Sequence, residues 1–543
     1  LDTGAITAAN LENWTITTDD GNITVDTLVG AGELKTLTIN NANTASLGHV
    51  AVGAIGGTTA ADELTAFNVT TLGTSDAGGS TQVTVTSLDA EGATFTFDMN
   101  LAGDYGTSTL GTTTATSISA LNITTGTLGT ALNVDNFVAT GNYGDVTISV
   151  GDAFDGDDDF LSTGSKTVGD VSLSTSALAL NIAEGAGETF INGATTVGNL
   201  SLTASSAASS INIGHFEEAT TVGNITFTGT GSIIWDGAAA ATTVGNISGS
   251  VASGESVDLT TVSGSTIGAS SGTIGTTTVT GAGTFNVDFG AATTVGNIDL
   301  SGMDSTTSAS TITLNSATTS GLTYTGSAGG DTFTSGSGAD TITAGLGIDS
   351  ITGGDGADSI DLTEATAAID TVIITDDDQV DTITGFTVTG ADDVISIDLS
   401  ALNTELGSGK NLIDQAGDLA TASTSTKDDV ALGEAVTLAS NADLVYFSAT
   451  TNNDLDVGTT FSSGTAGFQL TLASNAVGDN GDALLAIHYD ADGGFANFGY
   501  LVDSGSAADD IFSSGDCTFT SLAHITMSTT QYAALADANF NIV

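Results

Sequence analysis

Four aspartates, Asp331, Asp340, Asp349 and Asp358, stand nine residues apart, and a large apolar residue follows each two positions later: Phe333, Ile342, Ile351 and Ile360. The run ending at each aspartate is rich in glycine, as in Gly326-Ser-Ala-Gly-Gly-Asp331 and Gly353-Gly-Asp-Gly-Ala-Asp358. Six such residues make a turn, and three make a short strand carrying one core side chain. Two nonapeptides then complete one coil, so Asp331 and Asp349 share one edge and Asp340 and Asp358 the other. The carboxylates, with the backbone carbonyls of Gly329, Gly338, Gly347 and Gly356, form an all-oxygen donor set suited to Ca2+, which takes six to eight oxygens. Without a cation the stacked carboxylates repel, so metal binding and folding are expected to be coupled. Further calcium is expected, if anywhere, at Asp376 and Asp378 and at Asp490 and Asp492. The acidic loop from Asp152 to Asp159 departs from the EF-hand pattern at Phe160 and Lys166.

Other chemistry finds little to work with. His49, His215, His488 and His524 are far apart in sequence, and no His-Glu-x-x-His occurs. Gly407-Ser-Gly-Lys410-Asn lacks the first glycine of a phosphate-binding loop and its following Ser or Thr. Ser270, in Gly268-Ala-Ser-Ser-Gly272, fits a nucleophile elbow in pattern, as any Gly/Ser-rich repeat will. Cys517 is the only cysteine and has no nearby histidine. The enzyme alternative is a β-helix acting on polysaccharide; lyases of that shape use Arg or Lys, and this chain has no arginine and four lysines. A hydrolase with two carboxylates is the other form of that alternative. The expectation is a protein that is not an enzyme.

The elements that position the aspartates are strands. Thr, Val and Ile suit strands, Gly supplies tight turns, and proline is absent, so every backbone donor stays available for a ladder. Between about 140 and 300 one phrase returns: Tyr143-Gly-Asp-Val, Thr167-Val-Gly-Asp-Val, Thr196-Val-Gly-Asn-Leu, Thr221-Val-Gly-Asn-Ile, Thr243-Val-Gly-Asn-Ile and Thr294-Val-Gly-Asn-Ile. The steps are 25, 29, 25 and 22 residues, then 51, which is two coils with one degenerate copy between. A period near 25 with one apolar phrase per copy predicts a parallel β-solenoid; a β-sandwich of duplicated hairpins is the alternative. The repeated glycine is expected at a corner with positive φ, and Asn199, Asn224, Asn246 and Asn297 in a stacked hydrogen-bonded ladder. The fold class is therefore all-β. A β-rich region over 1–135 (solenoid or sandwich) leads into a β-solenoid over 136–320. A calcium β-roll over 321–363 and a β-rich C-terminal domain over 364–543 follow.

The nonapeptides resemble the RTX (hemolysin-type calcium-binding) family, whose pattern is Gly-Gly-x-Gly-x-Asp-x-apolar-x. Ser327, Ser335, Ala344 and Leu346 depart from its glycines. Asp381-Thr-Ile-Thr-Gly-Phe386 and Gly390-Ala-Asp-Asp-Val-Ile-Ser-Ile-Asp398 look like the segment that caps such rolls. Leu484-Leu-Ala-Ile-His-Tyr-Asp490-Ala-Asp492 and the apolar ending Ala538-Asn-Phe-Asn-Ile-Val543 resemble the late strand and tail of type I secretion substrates.

The resemblance implies export without a Sec signal and folding outside the cell. Among such proteins the chain is similar to RTX-type surface-layer (S-layer) proteins, which tile Gram-negative cells as a calcium-dependent lattice. That implies a secreted, extracellular, cell-surface location. It also implies self-association as the main partnership and attachment to surface polysaccharide through a region before Leu1. An RTX adhesin or an extracellular filament subunit is the runner-up. A net charge of −60 disfavours nucleic acid and anionic lipid as partners, and no apolar run is long enough for a membrane span.

Overall fold

The computed structural model describes residues 5–7, 12–18, 23–29, 34–41, 50–56, 64–71, 83–101, 107–126, 131–151, 153–157, 159–183, 188–259, 267, 272–307, 309–375, 379–390, 392–398, 401–402, 413–414, 417–418, 427–430, 435–437, 444–447, 469–471, 483–491, 493–503, 511–513 and 517–542. These residues are nearly all β, and the chain divides into two compact units, 1–295 and 296–543.

In the first unit each coil from Tyr143 onward contributes three short strands, and each strand pairs in parallel with its equivalent one coil on. One face stacks Tyr143–Val150, Val171–Thr175, Leu200–Ala204, Ile225–Gly229, Ile247–Val251 and Thr277–Gly281. A second stacks Phe154–Gly156, Ala179–Ile182, Ser210–Ile213, Ser232–Trp235, Ser256–Asp258 and Thr284–Asp288. The third carries the repeated phrase: Val168, Val197, Val222, Val244, Ile274 and Val295 are paired in one buried column. Ile274 belongs to the degenerate copy. The described residues before 135 form coils as well, since Asn13–Thr18, Thr36–Asn41 and Ala66–Thr71 pair in parallel, as do Ile23–Val29, Val50–Gly56 and the start of Val83–Leu101.

The asparagine ladder forms by one repeated bond. Asn199 Oδ1 accepts the Asn224 N–H at 2.9 Å, Asn224 Oδ1 accepts that of Asn246 at 2.9 Å, and Asn246 Oδ1 that of Thr276 at 3.0 Å. Asp170 makes the same rung to the Asn199 N–H at 2.8 Å. In the second unit Asn297 Oδ1 accepts the Thr323 N–H at 3.1 Å. The neighbouring glycines have a different reason from the expected one. None of Gly169, Gly198, Gly223 and Gly245 has a positive φ. The coils stack too closely for a side chain: a Cβ on Gly223 would lie 2.8 Å from the Gly198 carbonyl carbon.

Seven buried rings run through these coils. Phe67, Phe97, Phe137, Phe160, Phe190, Phe216 and Trp235 touch in sequence at centroid separations of 5.0 to 6.0 Å. All are fully buried. Each pair adds tilted or edge-on aromatic contact to its burial.

The second unit is a two-sided parallel roll. On one side Thr323–Thr325, Thr341–Thr343, Ser359–Asp361 and Asp381–Thr384 stack, and the ladder ends on Cys517–Thr526. On the other, Thr311–Thr313, Thr332–Thr334, Ser350–Thr352, Thr371–Ile374 and Val394–Ile397 end on Phe540–Ile542. Two inward columns make the core: Tyr324, Ile342, Ile360, Ile383 and Ile525 face Ile312, Phe333, Ile351, Val372, Ile395 and Phe540. Cys517–Thr526 also runs antiparallel to Phe495–Asp503, which pairs with Ala483–Asp490. The helix Thr529–Ala534 is opened by a Ser528/Gln531 capping box. Its buried Tyr532 donates to the carbonyls of Phe447 and Ile487 and stacks on Tyr446.

The ring stack yields a test. Phe190→Ala opens a cavity between Phe160 and Phe216 and is expected to cost about 3–5 kcal/mol in urea unfolding, whereas Phe190→Leu costs much less. Equal, small losses for both variants would mean that the stack does not hold the coils.

Candidate metal centre

The nine-residue period places the aspartates where two nonapeptides per coil require. Asp349 Oδ1 accepts the Asp331 N–H at 2.7 Å, and Asp358 Oδ1 accepts the Asp340 N–H at 2.8 Å. The rung repeats beyond the four nonapeptides. Asp370 Oδ1 accepts the Asp349 N–H at 3.0 Å, Asp393 Oδ1 that of Asp370 at 2.9 Å, and Asp381 Oδ1 that of Asp358 at 3.0 Å. Two ladders result, Asp331-Asp349-Asp370-Asp393 on one edge and Asp340-Asp358-Asp381 on the other.

Asp370, Asp381 and Asp393 lie outside the strict period, because the spacing widens to 12, 11 and 12 residues after Asp358. The signal that marks them is the shorter phrase Asp-x-apolar, in Asp370-Thr-Val, Asp381-Thr-Ile and Asp393-Val-Ile. Asp393 closes its ladder with help from the tail, since Asn539 Nδ2 donates to the Asp393 carbonyl at 2.9 Å. Thr387 donates to Asp393 Oδ2 through its N–H, at 2.7 Å, and its hydroxyl.

Every carboxylate in these ladders is buried; Asp331 and Asp349 are each 1% exposed. Loss of water disfavours the charged form, so burial pushes the Asp349 carboxyl up to about 8, with Asp331, Asp370 and Glu364 adding repulsion. Asp370 and Asp381 are pushed up to about 7, again chiefly by burial. Asp331, Asp340 and Asp393 are raised for the same reason, against the hydrogen bonds they accept. The stretch 296–402 contains no lysine, arginine or histidine to neutralise them. Buried carboxylates of this kind either hold a proton or hold a cation.

The residues fit calcium. Asp349 Oδ2 is enclosed and accepts no hydrogen bond. The turn before it contains Gly345 and Gly347, with φ of 113° and 104°, a backbone that L side chains rarely adopt. The donors are carboxylate and carbonyl oxygens, which suit a hard cation better than a thiolate or imidazole metal. Among the described residues no three His, Cys, Asp or Glu side chains already converge on one metal-binding point. Calcium held here would draw on paired aspartates and backbone carbonyls.

The other candidates fare differently. Asp376, Asp378 and Asp492 lie outside the described residues, as do His49, Ser270 and Lys410. Asp490 Oδ1 accepts the Gly493 N–H at 2.8 Å in a tight turn. The fold brings His488 and His524 onto one face, flanking Asn497 on the strand between. His488 is 4% exposed, neither ring nitrogen has a hydrogen-bond partner, and burial lowers its pKa to about 4. It packs edge-on against Phe519 at 5.0 Å, a neutral core imidazole.

No family model matches the chain, and neither a curated protein nor a solved structure does.

A pH dependence follows from the raised carboxyls. Their folded-state values stand above the ordinary 3.8, so the metal-free fold holds protons that the unfolded chain releases. Their contribution to stability is full below about pH 4 and is lost as pH rises through about 7 and 8. Melting in chelator should therefore give a Tm that drops between pH 5 and pH 8.5, with calcium restoring it at the alkaline end. Asp349→Asn removes one such group, and in chelator at pH 8.5 it should stabilise by at least about 1 kcal/mol. A metal-free Tm that stays level or climbs over this range would contradict the assignment.

Proposed function

We propose that this chain is a calcium-dependent structural protein of the extracellular cell surface, a surface-layer-type subunit that assembles with copies of itself into a lattice. The observation that carries the reading is the pair of buried aspartate ladders in a stretch without one basic side chain. Such a roll suits a chain that meets calcium only after export, where the ion is plentiful, and that folds as the ladders fill. The resemblance to RTX proteins supports the same ion. A net charge of −60 keeps metal-free copies apart, and divalent cations that neutralise it let them approach. Among the described residues no helix is long and apolar enough to cross a membrane. Attachment in this reading is to surface polysaccharide rather than through a membrane helix.

Two experiments test the reading. Purified chain imaged by negative-stain electron microscopy should give ordered two-dimensional sheets in calcium that dissolve in chelator. Fibres would replace the lattice with a filament, and monomeric particles at all calcium concentrations would reject self-assembly. Deletion of residues 484–543 should abolish export through a type I system; export at the parental level would contradict that route.

A further inference from the structure

The four nonapeptide aspartates share a spacing but not an environment. Asp331 is saturated by protein donors. It accepts the Ser310 N–H at 3.2 Å and the Ser327 hydroxyl at 3.0 Å on Oδ1, and the Ser327 N–H at 2.7 Å and the Tyr324 hydroxyl at 3.2 Å on Oδ2. Asp340 accepts the Leu322 N–H at 2.8 Å on Oδ1 and the Ser335 hydroxyl on Oδ2. Ser327 and Ser335 stand where the RTX pattern has glycine, and both spend their hydroxyls on the carboxylate of their own repeat. Asp349 has no such hydroxyl, because its repeat begins with Ala344. Its Oδ2 is left enclosed and without a donor.

A further carboxylate reaches this repeat from the next coil. The widened interval between Asp358 and Asp370 contains Glu364. Its Oε2 accepts the Gly347 N–H at 3.3 Å, from the turn that leads into Asp349, and its other oxygen accepts the Ala368 N–H. Glu364 also lies close enough to raise Asp349, Asp370 and Asp393 electrostatically. Half-buried in its loop, its carboxylate is held by two backbone N–H groups, whose place an ion would take. On the calcium reading above, we propose that the tightest divalent-cation site of the roll is bounded by Asp349, Asp370 and Glu364 at the Gly345–Gly347 turn, and that the Asp331 end is closed by protein hydroxyls and needs no ion. The ladder then fills from its middle, and the loop inserted after Asp358 is what sets its affinity.

Calcium titration of the full metal-free chain by isothermal calorimetry tests this, with far-UV circular dichroism at saturating calcium confirming that each variant folds. Glu364→Gln should weaken the tightest class of sites by roughly tenfold or more, as loss of one ligand charge does. Glu364→Asp, which keeps the charge and shortens the reach, should fall between that variant and the parent. Ser327→Ala, which removes the hydroxyl that closes the Asp331 end, should leave the tightest class within about twofold of the parent. Parental affinity in Glu364→Gln, or loss of the tightest class in Ser327→Ala, overturns the proposal while leaving the calcium ladder standing. A parent chain that binds no calcium overturns both.

Discussion

An aspartate whose Oδ1 accepts a backbone N–H from the coil before it fixes the register of two coils, and in the same act it gives up its water. The gain is one charge-assisted hydrogen bond per rung and a strand locked opposite its equivalent. The cost is a carboxylate in a low-dielectric stack, with another carboxylate one coil away. Between Ser310 and Asp393 the roll repeats this exchange on both edges, without a cationic side chain in the sequence of that stretch. The second unit therefore depends on what compensates those charges: protons at low pH, hydroxyls where serine has replaced glycine and, on the proposed reading, a divalent cation elsewhere.

Beyond Asp145 and Asp170, the first unit uses the neutral version of the same rung. Asn199, Asn224 and Asn246 reach forward to the N–H of the following coil, and a neutral amide costs little to leave at an exposed corner. In the roll the direction reverses, since each aspartate reaches back to the coil before it. The solenoid coils are held by apolar columns and by a line of stacked rings, so their stability rests chiefly on burial. Each nonapeptide strand presents only one buried apolar residue, so the ladders carry more of the roll's register than apolar burial does in the first unit.

Much of this was legible in the sequence because it is periodic. The Val-Gly-Asn phrase marked one column and one corner of each coil, and the interval of two periods correctly implied a copy that Ile274 supplies. The nine-residue spacing implied which aspartates share an edge. What escaped was aperiodic or depended on packing. Asp370, Asp381 and Asp393 sit behind turns of uneven length, so only the bare Asp-x-apolar phrase announces them. The rings from Phe67 to Trp235 are drawn from different faces and uneven intervals, and no spacing rule connects them. Ser327 and Ser335 look like defects in a glycine pattern, yet the fold uses them as donors. The corner glycines suggest a positive φ in sequence, whereas the close approach of successive coils is what excludes a side chain there.

On the proposed reading, the buried carboxyls of the roll exchange protons for calcium. Proton release on calcium binding measures that directly, by calorimetric titration at fixed pH in buffers of different ionisation enthalpy. With Asp349 pushed up to about 8 and Asp370 and Asp381 to about 7, calcium should displace protons at pH 7, and the release should fade toward pH 9. Calcium binding at pH 7 with no proton release, or release that does not change with pH, would contradict the account.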